Sequence, residues 1–464
     1  MLNLEVIADR IGSSYWFFPG LFLVGGIALA YGAVLFDLYG PEIVAMQLFW
    51  PQLTEPSAAR MFLSTVASST ITVAGVAFSI TIAAFANATT HYGPRLIANF
   101  MRDRGNQISL GIFIATFVYC LIVLNVVRGD TDGYDPFVPD AAMAGSMILV
   151  SLSTCTLIYY FHHIPEMLNV SQMIASIGRS LHASIDTLYP DEIGDEVEDR
   201  EKGGALFEDD DAQPGFFEIG STVAGYVQHV DGDQLLTVAD DRACFIKLKL
   251  RPGDFVHEGE CLALYRPADV RHQDIGDEVK DLIRASVVID VQRSPMQDLQ
   301  FLFDQLTEVA IRALSPGVND PTTAINCIHW IDSGLRKLVT RDFPPSLRQT
   351  ENGDPRLLLP ARDFNEMLDE TCRKIMPFAA TNGETARALL EMLAVVGKLG
   401  RSRNRKSCVA ANIRVFFRLL SDELGPRTSE EVREFVVTRL ANAELSGTFE
   451  LPNVQTLPHE GAGA

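Results

Sequence analysis

The sequence predicts an α-helical membrane domain of four transmembrane helices. A cytosolic α+β region follows, made of a small β barrel-sandwich-like module and a helical C-terminal domain. Three observations carry this prediction. Four charge-free apolar runs, Trp16–Phe36, Met61–Ala86, Ile108–Val127 and Ala141–Phe161, crowd into the first third of the chain. Each reaches the ~20 residues a helix needs to cross a hydrocarbon core of about 30 Å. An acidic segment, Asp191–Asp211, then interrupts the chain. Beyond it, alternation of period two gives way to stripes of period 3.6. The expected division is a membrane domain over 1–170, a helical exit and acidic linker over 171–214, the β module over 215–268, the helical domain over 269–445 and a disordered tail over 446–464.

The first run is read as a retained helix. Ala28-Leu29-Ala30 has the form of a cleavage site, but Glu5 and Asp9 outnumber Arg10 ahead of it, and the apolar run continues past Ala30. Four spans put both termini on one side. The second connection carries Arg95, Arg102 and Arg104, the first only Arg60, and the third Arg128 beside Asp130, Asp132 and Asp135. The positive-inside rule therefore places the second connection and both termini in the cytoplasm. After Pro94, residues Leu96, Ile97, Phe100 and Met101 share one face of a short helix. That face suits either the lipid headgroups or the cytosolic domain.

The second run differs from the others. Thr65, Ser68, Ser69, Thr72, Gly75 and Ser79 fall along one side of a helix. Two readings stand. Hydroxyls of Thr65, Ser68, Ser69, Thr72 and Ser79 line a wetted path, or small residues let helices pack closely while the hydroxyls bond their own backbone. No Asp, Glu, Lys, Arg or His lies inside the four runs, which weakens proton-coupled transport. One such helix cannot enclose a pore, so a pore implies a homo-oligomer around an axis. His162, His163 and Glu166 sit where the fourth run ends. Two candidate ligands at i, i+4 without a third read as interfacial side chains, so no metal is assigned.

Asp191–Asp211 holds eleven acids against two bases, too polar to order itself. In the β module, Phe245–Arg251 alternates: Ile246, Leu248 and Leu250 point one way, Lys247, Lys249 and Arg251 the other. Gly225–Val230 reads as a second strand, and Arg251–Tyr265 as turn, strand, turn, strand. The run Pro252-Gly-Asp-Phe-Val-His-Glu-Gly resembles a hammerhead hairpin of biotinyl/lipoyl-type barrel-sandwich modules. That resemblance implies a fold but no carrier function, because Lys247 and Lys249 lie mid-strand and the tip motif of a modified lysine is absent.

From about residue 269 the chain reads helical. Ser294-Pro-Met-Gln is read as a capping box with Pro at the first helical position. Leu299, Leu302, Phe303, Leu306, Val309, Ala310 and Ala313 form the stripe after it. Ser315–Asn319 ends that helix, and Asp320 with Pro321 caps the next. Arg293, Arg312, Ser315, Asn319, Asp320 and His329 are candidates for a polar ligand site, against the plainer reading of caps and a tight turn. Further helices are expected over 362–376, 383–400, 407–423 and 429–443. The run Lys398–Lys406, with Arg401, Arg403, Arg405 and Lys406, suits anionic lipid headgroups, a phosphate ligand, RNA or the chain's own acidic linker. Arg95, Arg102 and Arg104 are further candidates for lipid or phosphate contact.

Gln292-Arg-Ser-Pro-Met-Gln-Asp, Arg312-Ala-Leu-Ser-Pro-Gly-Val-Asn-Asp-Pro-Thr-Thr-Ala and His91-Tyr-Gly-Pro-Arg resemble signature segments of a bacterial family of predicted membrane proteins with a domain of unknown function. The resemblance covers the chain to about residue 420. It implies architecture and membrane location, and brings no catalytic residues.

A net charge of −21 argues against nucleic acid as a partner of the whole chain. Seven widely spaced cysteines without C-x-x-C argue against a disulfide framework or a zinc site. No nucleotide-loop, dinucleotide, zinc-protease or serine-hydrolase motif is present. No catalytic residue and no cofactor is therefore assigned. The expected partners are membrane lipids, further copies of the chain, and an unidentified small ligand or ion. The leading expectation is an oligomeric channel or passive transporter regulated by its cytosolic half. The alternative is a membrane-tethered scaffold or sensor.

Overall fold

A computed structural model describes residues 16–39, 55–92, 103–129, 136–167, 169–189, 216–267, 276–350, 352–423 and 434. The acidic linker, the amphipathic segment after Pro94, the helix expected over 429–443 apart from residue 434, the tail, Arg95 and Arg102 lie outside these residues. The chain divides into two compact units, residues 1–173 and 174–464.

In the first unit, helices α1 (Phe17–Tyr39), α2 (Pro56–Tyr92), α3 (Arg104–Val126) and α4 (Asp140–Met167) are the four candidate membrane spans. α3 packs against each of the other three. The α1–α3 approach depends on Gly26, where a Cβ would lie 2.9 Å from the Ala115 carbonyl oxygen. The shared core includes Ala30, Leu63, Tyr119, Cys120 and Val123. Leu21, Val24, Leu29 and Leu35 of α1 and Ile148 and Ile158 of α4 are each more than half exposed. Apolar surface on that scale suits a hydrocarbon solvent.

Polar groups seal the ends of this bundle. The Asp37 carboxylate accepts from the amides of Ala141 (2.9 Å) and Ala142 (2.9 Å), capping α4 from α1. Arg60 donates through Nη2 to the Val127 carbonyl (2.9 Å), at the end of α3. Arg128 and Phe137 form a bridge that brings the two ends of the third connection together.

The second unit is a mixed helical and sheet structure. Helix α5 (Val170–Leu188), which belongs to this unit from Ile174 onward, buries Ile174, Ile177, Leu181 and Ile185 along one stripe. β1 (Phe217–Gly220), β2 (Gly225–Val230), α6 (Gly232–Asp241), β3 (Cys244–Leu248), β4 (Phe255–Val256) and β5 (Cys261–Pro267) follow. Next come α7 (Asp277–Ala285), β6 (Val287–Asp290), α8 (Leu299–Ala313), α9 (Pro321–Leu338), β7 (Leu347–Gln349) and β8 (Pro355–Leu358). The last helices are α10 (Phe364–Ala379), α11 (Gly383–Leu399) and α12 (Arg403–Glu423).

The strands form two open sheets, β1-β5-β3-β8-β7 and β4-β2-β6, and no closed barrel among the described residues. The pattern near Pro252 predicts the local hairpins. It carries no information on β6, β7 and β8, which come from the stretch that reads as helical. Ile246, Leu248, Tyr265 and Leu357 line the core beneath α6, whose Leu235, Val238 and Ala239 join them.

A second correction concerns Ser294. The segment 294–297 is a turn, and the true N-cap of α8 is Asp298, whose side chain accepts from the Phe301 amide. Gln297 is not available to close a box on Ser294. Its side chain bonds the backbone of Val230 in both directions, tying the segment to β2. Asp320 and Pro321 start α9 as expected, with Asp320 Oδ1 accepting from the Thr323 amide (3.1 Å).

Candidate functional site

Helix α2 sorts its hydroxyls by side. Thr70 and Thr81 face inward and are buried, whereas Thr65, Ser68, Ser69, Thr72 and Ser79 are all exposed. The hydroxyls of Thr65, Ser69, Thr72 and Ser79 donate to the carbonyls of Met61, Thr65, Ser68 and Gly75, at 2.7–2.8 Å. Each such bond uses the hydroxyl hydrogen and leaves oxygen lone pairs directed outward. Leu63, Val66, Ala67, Ala74 and Ala77 are buried on the inward side.

The interior holds a second polar set, where α3 meets α4 and where both meet α2. Thr116 and Ser153 share a hydrogen bond (2.8 Å), and the Tyr119 hydroxyl donates to the Ala142 carbonyl (2.9 Å). Thr81 meets both the Tyr160 hydroxyl (2.8 Å) and Asn106 Oδ1 (3.3 Å). At the end of the row, His163 Nε2 lies 3.0 Å from Asp103 Oδ1, and its ring stacks on Tyr159. Asp103 is also the N-cap of α3. His163 is therefore committed to a carboxylate, while its neighbour His162 is exposed. Among the described residues no group of three metal-ligating side chains forms. Pairing between spans cannot be read from one helix at a time, so only the outward set was found by sequence reasoning.

In the second unit the candidate ligand residues have identifiable partners, and Arg312, Ser315, Asn319 and Asp320 lie on one loop closed by hydrogen bonds from the Ser315 hydroxyl to the Arg312 carbonyl and from the Asn319 amide to the Ser315 carbonyl. Arg293 is half-buried and bridges two buried acids. Its Nε and Nη2 donate to Asp298 Oδ2 (2.9 and 2.6 Å), and its Nη1 to Asp304 Oδ2 (2.9 Å). Burial works against the Arg293 cation, but the two carboxylates outweigh it and hold its pKa above the usual value. Burial would raise Asp304, but hydrogen bonds from Lys374, Gln300 and Arg293 bring it below the ordinary carboxylate range. For Asp298 burial wins, and its pKa stands raised despite Arg293. The Pro252–Gly253 turn closes over this carboxylate. Gly253 has φ +95°, and a Cβ there would lie 2.3 Å from Asp298 Oδ2.

Arg312 pairs with Glu308 one turn back, and the Ser315 hydroxyl donates to the Arg312 carbonyl (2.6 Å). Asn319, at φ +47°, turns the chain into the Asp320 cap. His329 is exposed on α9.

The basic run is also divided. Arg405 Nη1 donates to the Val339 carbonyl (2.6 Å), and its guanidinium lies over the rings of Phe343 and Phe364. Burial lowers its pKa. Arg401 and Arg403 remain exposed and Lys406 is half-buried. Arg104, at the start of α3, lies 6.0 Å from the Phe18 ring centroid.

Four apolar spans followed by a helical and sheet unit define a multi-span membrane protein. The chain matches the model of the predicted membrane protein family DUF2254 over residues 12–395 and belongs to that family. It is 28% identical over 457 residues to an uncharacterized protein of Mycobacterium bovis, Mb1321c, and to one of Mycobacterium tuberculosis, Rv1290c. Each match covers 97% of this chain and 85% of the relative. No solved structure matches the chain.

Proposed function

We propose that the chain is an oligomeric channel or passive transporter of the bacterial inner membrane, with cytoplasmic termini. The hydroxyl stripe of α2 faces a shared axis, and the cytosolic unit biases the path. The observation that carries this reading is the exposure of Thr65, Ser68, Ser69, Thr72 and Ser79 along one side of α2. Lipid gains little from a row of hydroxyls, whereas outward lone pairs replace part of the hydration shell of a passing ion. The rest of the wall is supplied by symmetry-related copies. Arg95, Arg102, Arg104, Arg401, Arg403 and Lys406 are proposed contacts for lipid headgroups.

The second reading is a membrane-tethered scaffold or sensor whose spans only anchor. It is supported by the closure of the interior polar groups on one another, as at Thr116–Ser153 and Thr81–Tyr160, which is what packing requires.

Flux through reconstituted liposomes separates the two. The protein is compared with a Thr65→Leu, Ser68→Leu, Thr72→Leu variant of unchanged oligomeric state. Flux that the variant loses supports the path. Absence of flux across a panel of cations and anions, with the oligomer verified, transfers the assignment to the scaffold.

A further inference from the structure

Between Glu391 and Asp422 the chain carries seven bases and no acid, although acids outnumber bases by 59 to 38 overall. The run covers the end of α11 and nearly all of α12. Elsewhere in the second unit bases sit beside acids one turn away, as in Arg284–Asp281, Arg312–Glu308 and Arg336–Asp332. In this run Arg405 is tied to the Val339 carbonyl. The side chains of Lys398, Arg401, Arg403, Lys406, Arg414 and Arg418 form no hydrogen bond or ion pair among the described residues.

Helix α12 sorts its residues by face. Val409, Ile413, Phe416, Phe417 and Leu420 are buried and hold the helix on the unit. Arg403, Ser407, Ala411, Arg414 and Arg418 recur every three or four residues on the other side, and all are exposed. That stripe is about 22 Å long. Between its arginines stand Ser407 and Ala411, too short to keep a flat surface away from the guanidinium groups. Leu399 (39% exposed) and Val415 (50%) add apolar side chains beside the bases. Long basic side chains mixed with exposed apolar ones on one helix face suit the headgroup layer of a bilayer. A soluble anion needs bases that converge on a point, whereas these extend along a line. The four spans hold the chain at a bilayer, so a charged leaflet is within its reach.

We propose that α12 docks lengthwise on an anionic lipid surface, with Arg403, Arg414 and Arg418 donating to lipid phosphates. The inference rests on the headgroup contacts proposed above for Arg401, Arg403 and Lys406, and extends them along the whole helix. Docking then depends on the density of anionic lipid and on ionic strength, which gives the cytosolic unit a membrane property to sense. It does not depend on whether α2 lines a path.

The test uses the full-length protein in nanodiscs of phosphatidylcholine, alone or mixed with phosphatidylglycerol. Ala411→Cys, in a chain whose seven cysteines are serine, carries an environment-sensitive fluorophore. A spin label on the lipid headgroup quenches it on contact. The expected result is quenching in the phosphatidylglycerol discs and little in phosphatidylcholine alone. Arg414→Gln with Arg418→Gln, both exposed positions, lowers the ratio of docked to free helix roughly 25-fold and returns quenching to the phosphatidylcholine level. Salt at about 1 M does the same without any substitution. A second variant, Arg401→Gln, Arg403→Gln and Lys406→Gln, tests the earlier headgroup contacts separately. Equal quenching of the parent in the two lipids, or quenching unchanged by Arg414→Gln with Arg418→Gln, overturns the proposal. If the second variant alone loses quenching, the earlier contacts stand and the lengthwise docking falls. Quenching that requires the acids of Asp191–Asp211 to be replaced by amides assigns the face to that segment and also overturns the proposal.

Discussion

Arg293→Met tests the charged centre of the second unit. Side-chain exposures are 14% for Arg293, 1% for Asp298 and 5% for Asp304. Water does little to screen this group. Removing Arg293 leaves the two acids unequal. Asp304 keeps Lys374 and Gln300, whereas Asp298 keeps one direct hydrogen bond, from the Phe301 amide. The loss therefore falls on Asp298. Breaking a buried pair from one side costs about 3–5 kcal/mol, and that is the expected destabilisation. Adding Asp298→Asn removes the stranded charge, so the double variant is more stable than the sum of the two single changes by about 1–3 kcal/mol. Urea unfolding followed by Trp330 fluorescence reads the unit directly, because Trp16 and Trp50 both precede residue 174. A cost below about 1 kcal/mol for Arg293→Met, or a cycle additive within about 0.5 kcal/mol, refutes the reasoning.

Three further outcomes are expected. Asp37→Ala removes a cap made across two spans and lowers the thermal stability of the detergent-solubilised protein by roughly 1 kcal/mol, while Asp37→Asn keeps one acceptor and loses less. His182 shares a hydrogen bond with Ser333 (2.9 Å) and stands edge-on to Trp330; Lys337 and Arg341 of the same region hold Asp186 (2.6 and 2.9 Å). Burial and then the Lys337 cation push the His182 pKa below its usual 6.5, against the pull of Asp186. A depressed pKa means the docking of α5 is strongest above 6.5 and weakens as pH falls through the lowered value; an acid-induced change in Trp330 fluorescence should therefore disappear in His182→Gln. Burial pushes the thiols of Cys244 up to about 11 and Cys408 up to about 12, so both resist iodoacetamide at pH 8 until the unit is unfolded.

What the sequence discloses follows from the range of the physics. A bilayer imposes an unbroken apolar length, so the four spans are visible as runs. An N-cap depends on neighbours three residues apart, so Asp320–Pro321 is visible as well. Ser294 misleads because the competing cap, Asp298, gains from Arg293 and from the Gly253 turn, the latter far off in sequence. β8 is four residues long, includes Pro355, and pairs in parallel with a strand more than a hundred residues earlier. No local period announces such a strand. Among the membrane residues, the stripe of α2 is legible from helical spacing alone, whereas the partners of Thr81, Tyr160 and His163 lie on other helices.

The central claim is that the α2 stripe meets water. Single cysteines at Thr65, Ser68, Ser69, Thr72 and Ser79, and at the flanking Ile71 and Phe78, placed in a chain whose seven cysteines are serine, are exposed in native membranes to a charged methanethiosulfonate reagent. The account predicts rapid modification at the five stripe positions and slow modification at Ile71 and Phe78. Uniformly slow modification at all seven positions, in a variant that still assembles, contradicts it.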